Sequence, residues 1–220
     1  MTPPTSLLGS PASNSPEFRQ AFIRKCHRLV GLAYRTLDAP SFIVAEETEI
    51  TGELVRAMED LLESPSAPRW MHQFDVLDDP PQNAPGRRSR RRRRVDIEIR
   101  RVQAGPRPRF RFEAKRLNSS RSVSAYLGPD GLMLYITGEY AREQDEAGML
   151  GYIQIGAPAD WAGRISGRLQ ENPQHYSVCI SGKWVSFPLV EELDDTFRSG
   201  HDRATVGRSI DVYHTLLIFH

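Results

Sequence analysis

The stretch RVDIEIRRVQAGPRPRFRFEAKRL, Arg94 to Leu117, decides the fold. Val95, Ile97 and Ile99 alternate with Asp96, Glu98 and Arg100, the period of two that marks a strand with one buried face. Gly105, Pro106 and Pro108 supply a turn, after which Phe110, Phe112 and Ala114 alternate with Arg111, Glu113 and Lys115. The spacing predicts a β-hairpin. Paired antiparallel with their apolar faces together, its strands bring Asp96 to the same side as Glu113 and Lys115. Carboxylates at contact distance repel unless a positive charge sits between them. A hard divalent cation such as Mg²⁺, with Mn²⁺ as substitute, is the usual solution and would bridge Asp96 and Glu113. Lys115 would then stand beside it to orient an attacking water and offset charge on a phosphate. The competing reading is a solvated face on which Glu98, Glu113, Arg100, Arg111 and Lys115 form ordinary cross-strand pairs.

Outward from the hairpin, helical patterns lead. Phe18, Ala21, Phe22, Leu29, Leu32 and Ala33 keep mostly to steps of three or four over residues 16–36. Ile50, Leu54, Met58 and Leu61 form the apolar stripe of a second helix over 45–63, with Glu46, Glu49, Glu53 and Asp60 on its polar side. A short strand over 70–77 precedes the hairpin. Beyond it, helices are expected at 122–127 and 132–142, a buried strand at 149–155 and a helix at 158–170. Strands at 176–180, 184–189 and 210–219 follow, with an acidic polar stretch before the last. Residues 1–15, rich in Pro, Ser and Thr, read as a disordered tail, and residues 16–220 as one domain. Helices first, a hairpin in the middle and alternation afterwards indicate an α/β fold with a mixed central sheet flanked by helices.

Composition narrows the function classes. The 220 residues carry 29 basic and 28 acidic side chains, a formal charge of +1, with 39% hydrophobic residues. No apolar run suits a membrane span or a secretory signal, so the expectation is a cytoplasmic protein with no membrane partner. Cys26 and Cys179 and the six scattered histidines lack metal-ligand spacing, which argues against zinc and an HNH-type nuclease. No phosphate-binding Gly-rich loop or nucleophile elbow is present, leaving ATP hydrolysis and acyl transfer without support. Tyr126, Tyr135, Tyr140, Tyr152 and Trp161 read as core.

On Val95-Asp96-Ile97 and Phe112-Glu113-Ala114-Lys115, the chain resembles the PD-(D/E)xK nuclease superfamily, the restriction-endonuclease-like fold. Arg94 and Val95 stand where the proline of the motif would fall, and no Gln-x-x-x-Tyr helix of the exonuclease branch is evident. The resemblance implies metal-dependent hydrolysis of a phosphodiester by activated water, leaving a 5′-phosphate and a 3′-hydroxyl, with DNA favoured over RNA. Asp96 and Glu113 would be metal ligands and Lys115 the catalytic lysine. Glu53 is the candidate for a third, helical carboxylate and metal ligand, with Glu49 one turn earlier as its substitute. A surface pairing of either with Arg56 is the plainer alternative. The run from Lys115 to Gln154 looks like small predicted nucleases of bacterial defence loci, which suggests a prokaryotic, anti-phage role, as a homodimer or within a larger defence complex. A non-catalytic nucleic-acid-binding or interaction subunit with the same fold is the alternative.

Seven arginines occupy the eight positions before Val95: Arg87, Arg88, Arg90, Arg91, Arg92, Arg93 and Arg94. Next to the proposed metal site, they would attract a phosphate backbone without reading sequence. Otherwise they form a self-repelling basic loop. Arg116 is a further candidate for a backbone contact.

Overall fold

The computed structural model describes residues 15–81, 94–102 and 107–220. The expected N-terminal tail, apart from Ser15, and the arginines from Arg87 to Arg93 lie outside the described residues.

Helix α1 (Pro16–Tyr34) begins where its sequence dictates: Ser15 Oγ accepts from the Phe18 backbone N–H at 3.2 Å, and proline occupies the first helical position. Its apolar stripe of Phe22, Ile23, Cys26, Leu29, Val30 and Ala33 is buried. Helix α2 (Glu47–Glu63) follows a short 3₁₀ turn at Ala39–Phe42 and buries Ile50, Leu54, Val55 and Met58. Both helices cover one face of a seven-stranded mixed sheet.

The strands are β1 (Phe74–Asp78), β2 (Ile97–Arg101), β3 (Arg109–Leu117), β4 (Glu146–Ile153), β5 (Val185–Ser186), β6 (Thr196–His201) and β7 (Ile210–Ile218), in spatial order β1-β2-β3-β4-β7-β6-β5. The expected hairpin is β2–β3, antiparallel, with Ile97 opposite Phe112 and Arg100 opposite Arg109. Strands β3, β4 and β7 are parallel neighbours. Helices α3 (Ser122–Leu127) and α4 (Met133–Ile136) make the crossover from β3 to β4, and α5 (Pro158–Glu171) follows β4. Covered on both faces, β4 is buried without a break from Ala147 to Ile153, hence its continuous rather than alternating apolar sequence. A Cβ on Gly148 would lie 2.2 Å from Phe112 Cδ1, so only glycine allows the ring of β3 to lie against β4.

The expectations fail in five places. Val95 is out of phase with Ile97: β2 starts only at Ile97, Asp96 sits in a bend, and Val95 packs with Tyr126, Tyr135 and Trp161 on the second face. Helix α4 stops at Ile136 instead of running to residue 142, because Gly138 (φ +74°) and Ala141 (φ +49°) take left-handed conformations. The strand expected at 176–180 reduces to one bridge, Val178 with His201, and that at 184–189 to the two residues of β5. Strand β6 lies in the stretch read as acidic and polar. Among the described residues, no helix is long and apolar enough to cross a membrane.

Candidate active site

Strand β3 outlasts its partner. Its pairing with β2 ends at Phe112, whereas its pairing with β4 continues to Leu117. Beyond Phe112, the edge of β3 that faced β2 presents peptide groups with no strand beside them. A buried N–H left unpaired costs about 1–3 kcal/mol. Two carboxylates meet that need. Asp96 Oδ2 accepts from the Ala114 N–H at 2.6 Å, and Glu47 Oε2 accepts from the Arg116 N–H at 3.1 Å. Asp96 arrives on the bend leading into β2, and Glu47 on the first turn of α2.

Between them stands Lys115. Its Nζ donates to Glu47 Oε1 at 2.8 Å, to Glu113 Oε1 at 3.0 Å and to the Ala114 carbonyl at 2.6 Å. Three carboxylates thus gather around one ammonium. Glu113 is 5% exposed, and its second oxygen, Oε2, is buried with no hydrogen-bond partner. Burial, reinforced by Asp96, pushes the Glu113 carboxyl up to about 8 against the pull of Lys115. Burial also raises Asp96 to about 6, with Lys115 and the Ala114 N–H acting against it and Glu47 and Asp79 adding to it. Burial alone would lower Lys115, but the surrounding Glu113, Glu47 and Asp96 more than reverse this and hold it above the ordinary lysine range. One cation is too few for three carboxylates, and the deficit falls on Glu113.

The donor set suits a hard divalent cation: oxygen ligands only, two of the carboxylates raised in pKa, and one carboxylate oxygen without a partner. Among the described residues, no group of three or more His, Cys, Asp or Glu side chains is gathered so as to hold a metal by itself. The ammonium of Lys115 takes the central place instead.

The expected trio of Asp96, Glu113 and Lys115 is therefore brought together, at the edge of β3 where its pairing with β2 ends. The structure does not bring the candidate helical carboxylates, Glu53 and Glu49, to this group. Glu53 pairs with Arg56 at 3.0 Å, and Glu49 is exposed. Neither is among the charges acting on Asp96, Glu113 or Lys115; Glu47 is. Residues 47 and 53 are six apart, about 600° around a helix at 100° per residue, so the two face different ways. No spacing rule singles Glu47 out from Glu46, Glu49 and Glu53. Only the docking of the first turn of α2 against the end of β3 does so.

Arg116 lies just beyond the group. Its guanidinium turns back onto the protein, donating to the Ala45 carbonyl at 3.2 Å and pairing with Glu46 at 2.6 Å. Arg94, the one described member of the arginine run, is exposed and pairs with Asp79, while its carbonyl accepts from the Tyr140 hydroxyl. Gln154, just past β4, was not anticipated. Its buried side chain reaches the loop that leads into α2. Comparison with protein-family models, with curated proteins and with solved structures finds no match for this chain.

Proposed function

We propose that the protein is a metal-dependent nuclease of restriction-endonuclease-like architecture, hydrolysing phosphodiester bonds, in DNA rather than RNA, in a prokaryotic anti-phage role. The observation that carries this reading is the convergence of Asp96, Glu113 and Lys115 at the frayed edge of β3, with Glu113 Oε2 buried and partnerless. The mixed sheet, with the Asp on the bend that enters one strand of an antiparallel pair and the Glu-x-Lys on the next strand, supports it. Asp96 and Glu113 would hold Mg²⁺ or Mn²⁺, with Glu47 in the role first given to Glu53. Such an ion supplies charge neutralisation at a scissile phosphate and acidifies water. Lys115, fixed by three acceptors, holds a positive charge where a phosphate oxygen gains negative charge, and orients the attacking water.

A second reading, a non-catalytic nucleic-acid-binding subunit, draws on the same ammonium. Lys115 already bridges Glu47 and Glu113, as it would in a purely structural ion cluster. The two readings part on one experiment. Purified protein is incubated with supercoiled DNA, single-stranded DNA and RNA in Mg²⁺ or Mn²⁺, with EDTA controls and the Asp96→Asn and Lys115→Met variants. The nuclease reading expects metal-dependent cutting that either substitution lowers by at least 100-fold while a gel shift persists. No cutting by the wild-type protein on any substrate, with a salt-sensitive gel shift unchanged in both variants, establishes the binding subunit instead.

A further inference from the structure

Three of the site groups lie on the β2–β3 hairpin or on the bend that enters it. Glu47 does not: it precedes Lys115 by 68 residues and comes from a helix on another layer. Helix α2 has no side-chain cap at its N-terminus, where Glu46 holds the cap position without bonding the first turn through its side chain. The start of α2 is therefore held by contacts from outside the helix: Arg116 on Glu46 and Glu47, and whatever grips the chain just before them.

Gln154 does so. Its backbone N–H donates to the Leu117 carbonyl at 3.1 Å, which places it across from the end of β3. Its side chain is 5% exposed. The Nε2 amide spends both hydrogens on the loop ahead of α2, donating to the Phe42 and Ala45 carbonyls, each at 2.8 Å. Its Oε1 accepts from Asn118 Nδ2 at 3.1 Å, so the amide is held from the β3 side as well. Ala45 O receives a second donor from Arg116, the residue whose N–H Glu47 caps. A closed loop of contacts results, running Gln154, Ala45, Glu47, Arg116 and back to β3.

We propose that Gln154 is a positioning residue: it clamps the Phe42–Ala45 segment to the ends of β3 and β4 and thereby sets the Glu47 carboxylate against Lys115. Its effect on cleavage rests on the nuclease reading; its effect on Lys115 does not. A misplacement of about 1 Å at a reacting constellation can cost on the order of 100-fold in rate, and that is the leverage of the clamp.

The chain has only three lysines, Lys25, Lys115 and Lys183, so full-length protein labelled with ¹⁵N at lysine Nζ gives a three-signal NMR spectrum. Glu47→Gln is the reference, because it alters the Lys115 partner directly. Gln154→Met keeps length and packing while removing both donors. The proposal expects Gln154→Met to move the Lys115 signal in the same direction as Glu47→Gln, by at least half as much, with Lys25 and Lys183 unmoved. Cleavage should lose kcat by about 100-fold with KM for DNA within twofold. A Lys115 signal at its wild-type position in Gln154→Met, or one that Glu47→Gln fails to move, overturns the proposal. Should Gln154→Met not fold, Gln154→Glu, of the same shape but with acceptors in place of donors, is read against the same outcomes. A wild-type protein that cuts nothing while Gln154→Met still moves the Lys115 signal leaves the clamp standing and removes the nuclease reading.

Discussion

Replacing Glu113 with glutamine should stabilise the metal-free protein, and by an amount that depends on pH. Glutamine has the shape of the protonated acid, and its Oε1 can keep the 3.0 Å bond from Lys115 Nζ. The wild-type carboxyl is pushed up to about 8 in the fold from a reference value of 4.5. Below pH 4.5 both folded and unfolded chains hold this proton, so wild type and variant should differ little. Between pH 4.5 and 8 the unfolded chain releases a proton that the folded chain retains, and wild-type stability falls by about 1.4 kcal/mol per pH unit. At pH 7 the accumulated difference is about 3 kcal/mol in favour of the variant. With a urea slope near 3 kcal/mol/M, that is a rise of about 1 M in the unfolding midpoint. The assay is urea unfolding of both proteins in EDTA from pH 4.5 to 8. On the proposed metal reading, magnesium should then raise the wild-type midpoint more than that of Glu113→Gln, which offers the ion one carboxylate fewer. A variant that is less stable at pH 8, or a difference that does not change with pH, refutes the account of Glu113 as a buried carboxylate short of a cation.

Two further outcomes follow from buried histidines. His27, ringed by Phe110, Phe112 and Tyr213 and bonded to the Ile23 carbonyl at 2.9 Å, is held down to about 4 by burial, so it folds neutral. The unfolded chain takes up its proton near pH 6.5 and the folded chain only near 4; stability is lost as pH falls through that window, by about 3 kcal/mol for this residue. His27→Leu should remove one proton from the uptake on acid unfolding, and an unchanged pH slope between pH 6.5 and 4 would show that His27 is not the sensor. Ser199 links two buried imidazoles. His201 Nδ1 faces the Tyr176 carbonyl at 2.7 Å and must donate, so its Nε2 accepts from Ser199, whose Oγ accepts from His214 Nε2 at 2.8 Å. Ser199→Ala strands both ring nitrogens and should cost about 2–4 kcal/mol in chemical denaturation; a cost under 1 kcal/mol would mean that the chain of bonds closes without the hydroxyl.

These residues also explain what the sequence left illegible. The β2–β3 hairpin was readable because its apolar residues alternate with a period of two, and α1, α2 and α5 because theirs recur at three and four. Strand β6 was not, since the side chains it buries are polar: Thr196, Ser199 and His201. They are inside because each is hydrogen-bonded there, Thr196 to Thr215 and Ser199 to two histidines. A hydropathy pattern scores such a strand as loop, although it fills the place between β5 and β7. The candidate site divides the same way. Glu113 and Lys115 share a face by strand periodicity, a one-dimensional property, whereas Asp96, on the bend before β2, reaches them as the cap on the Ala114 N–H. Glu47 and Gln154 join them through the docking of a helix and the end of a parallel strand, and no periodicity encodes either.

The carboxylates at the edge of β3 carry two duties that ordinary substitutions confound. Asp96 and Glu47 cap the Ala114 and Arg116 N–H groups, which the departure of β2 leaves without a strand partner, and the same carboxylates charge the site around Lys115. The divergence of β2 from β3 thus creates the need for acceptors at that spot. An aspartate there is consistent with structure alone, since a neutral amide oxygen would serve as a cap equally well. Glu113 is different. Its Oε2 bonds to nothing, and its charge is opposed by burial and by Asp96. On the proposed reading, a bound cation would supply the charge that Glu113 lacks in this fold.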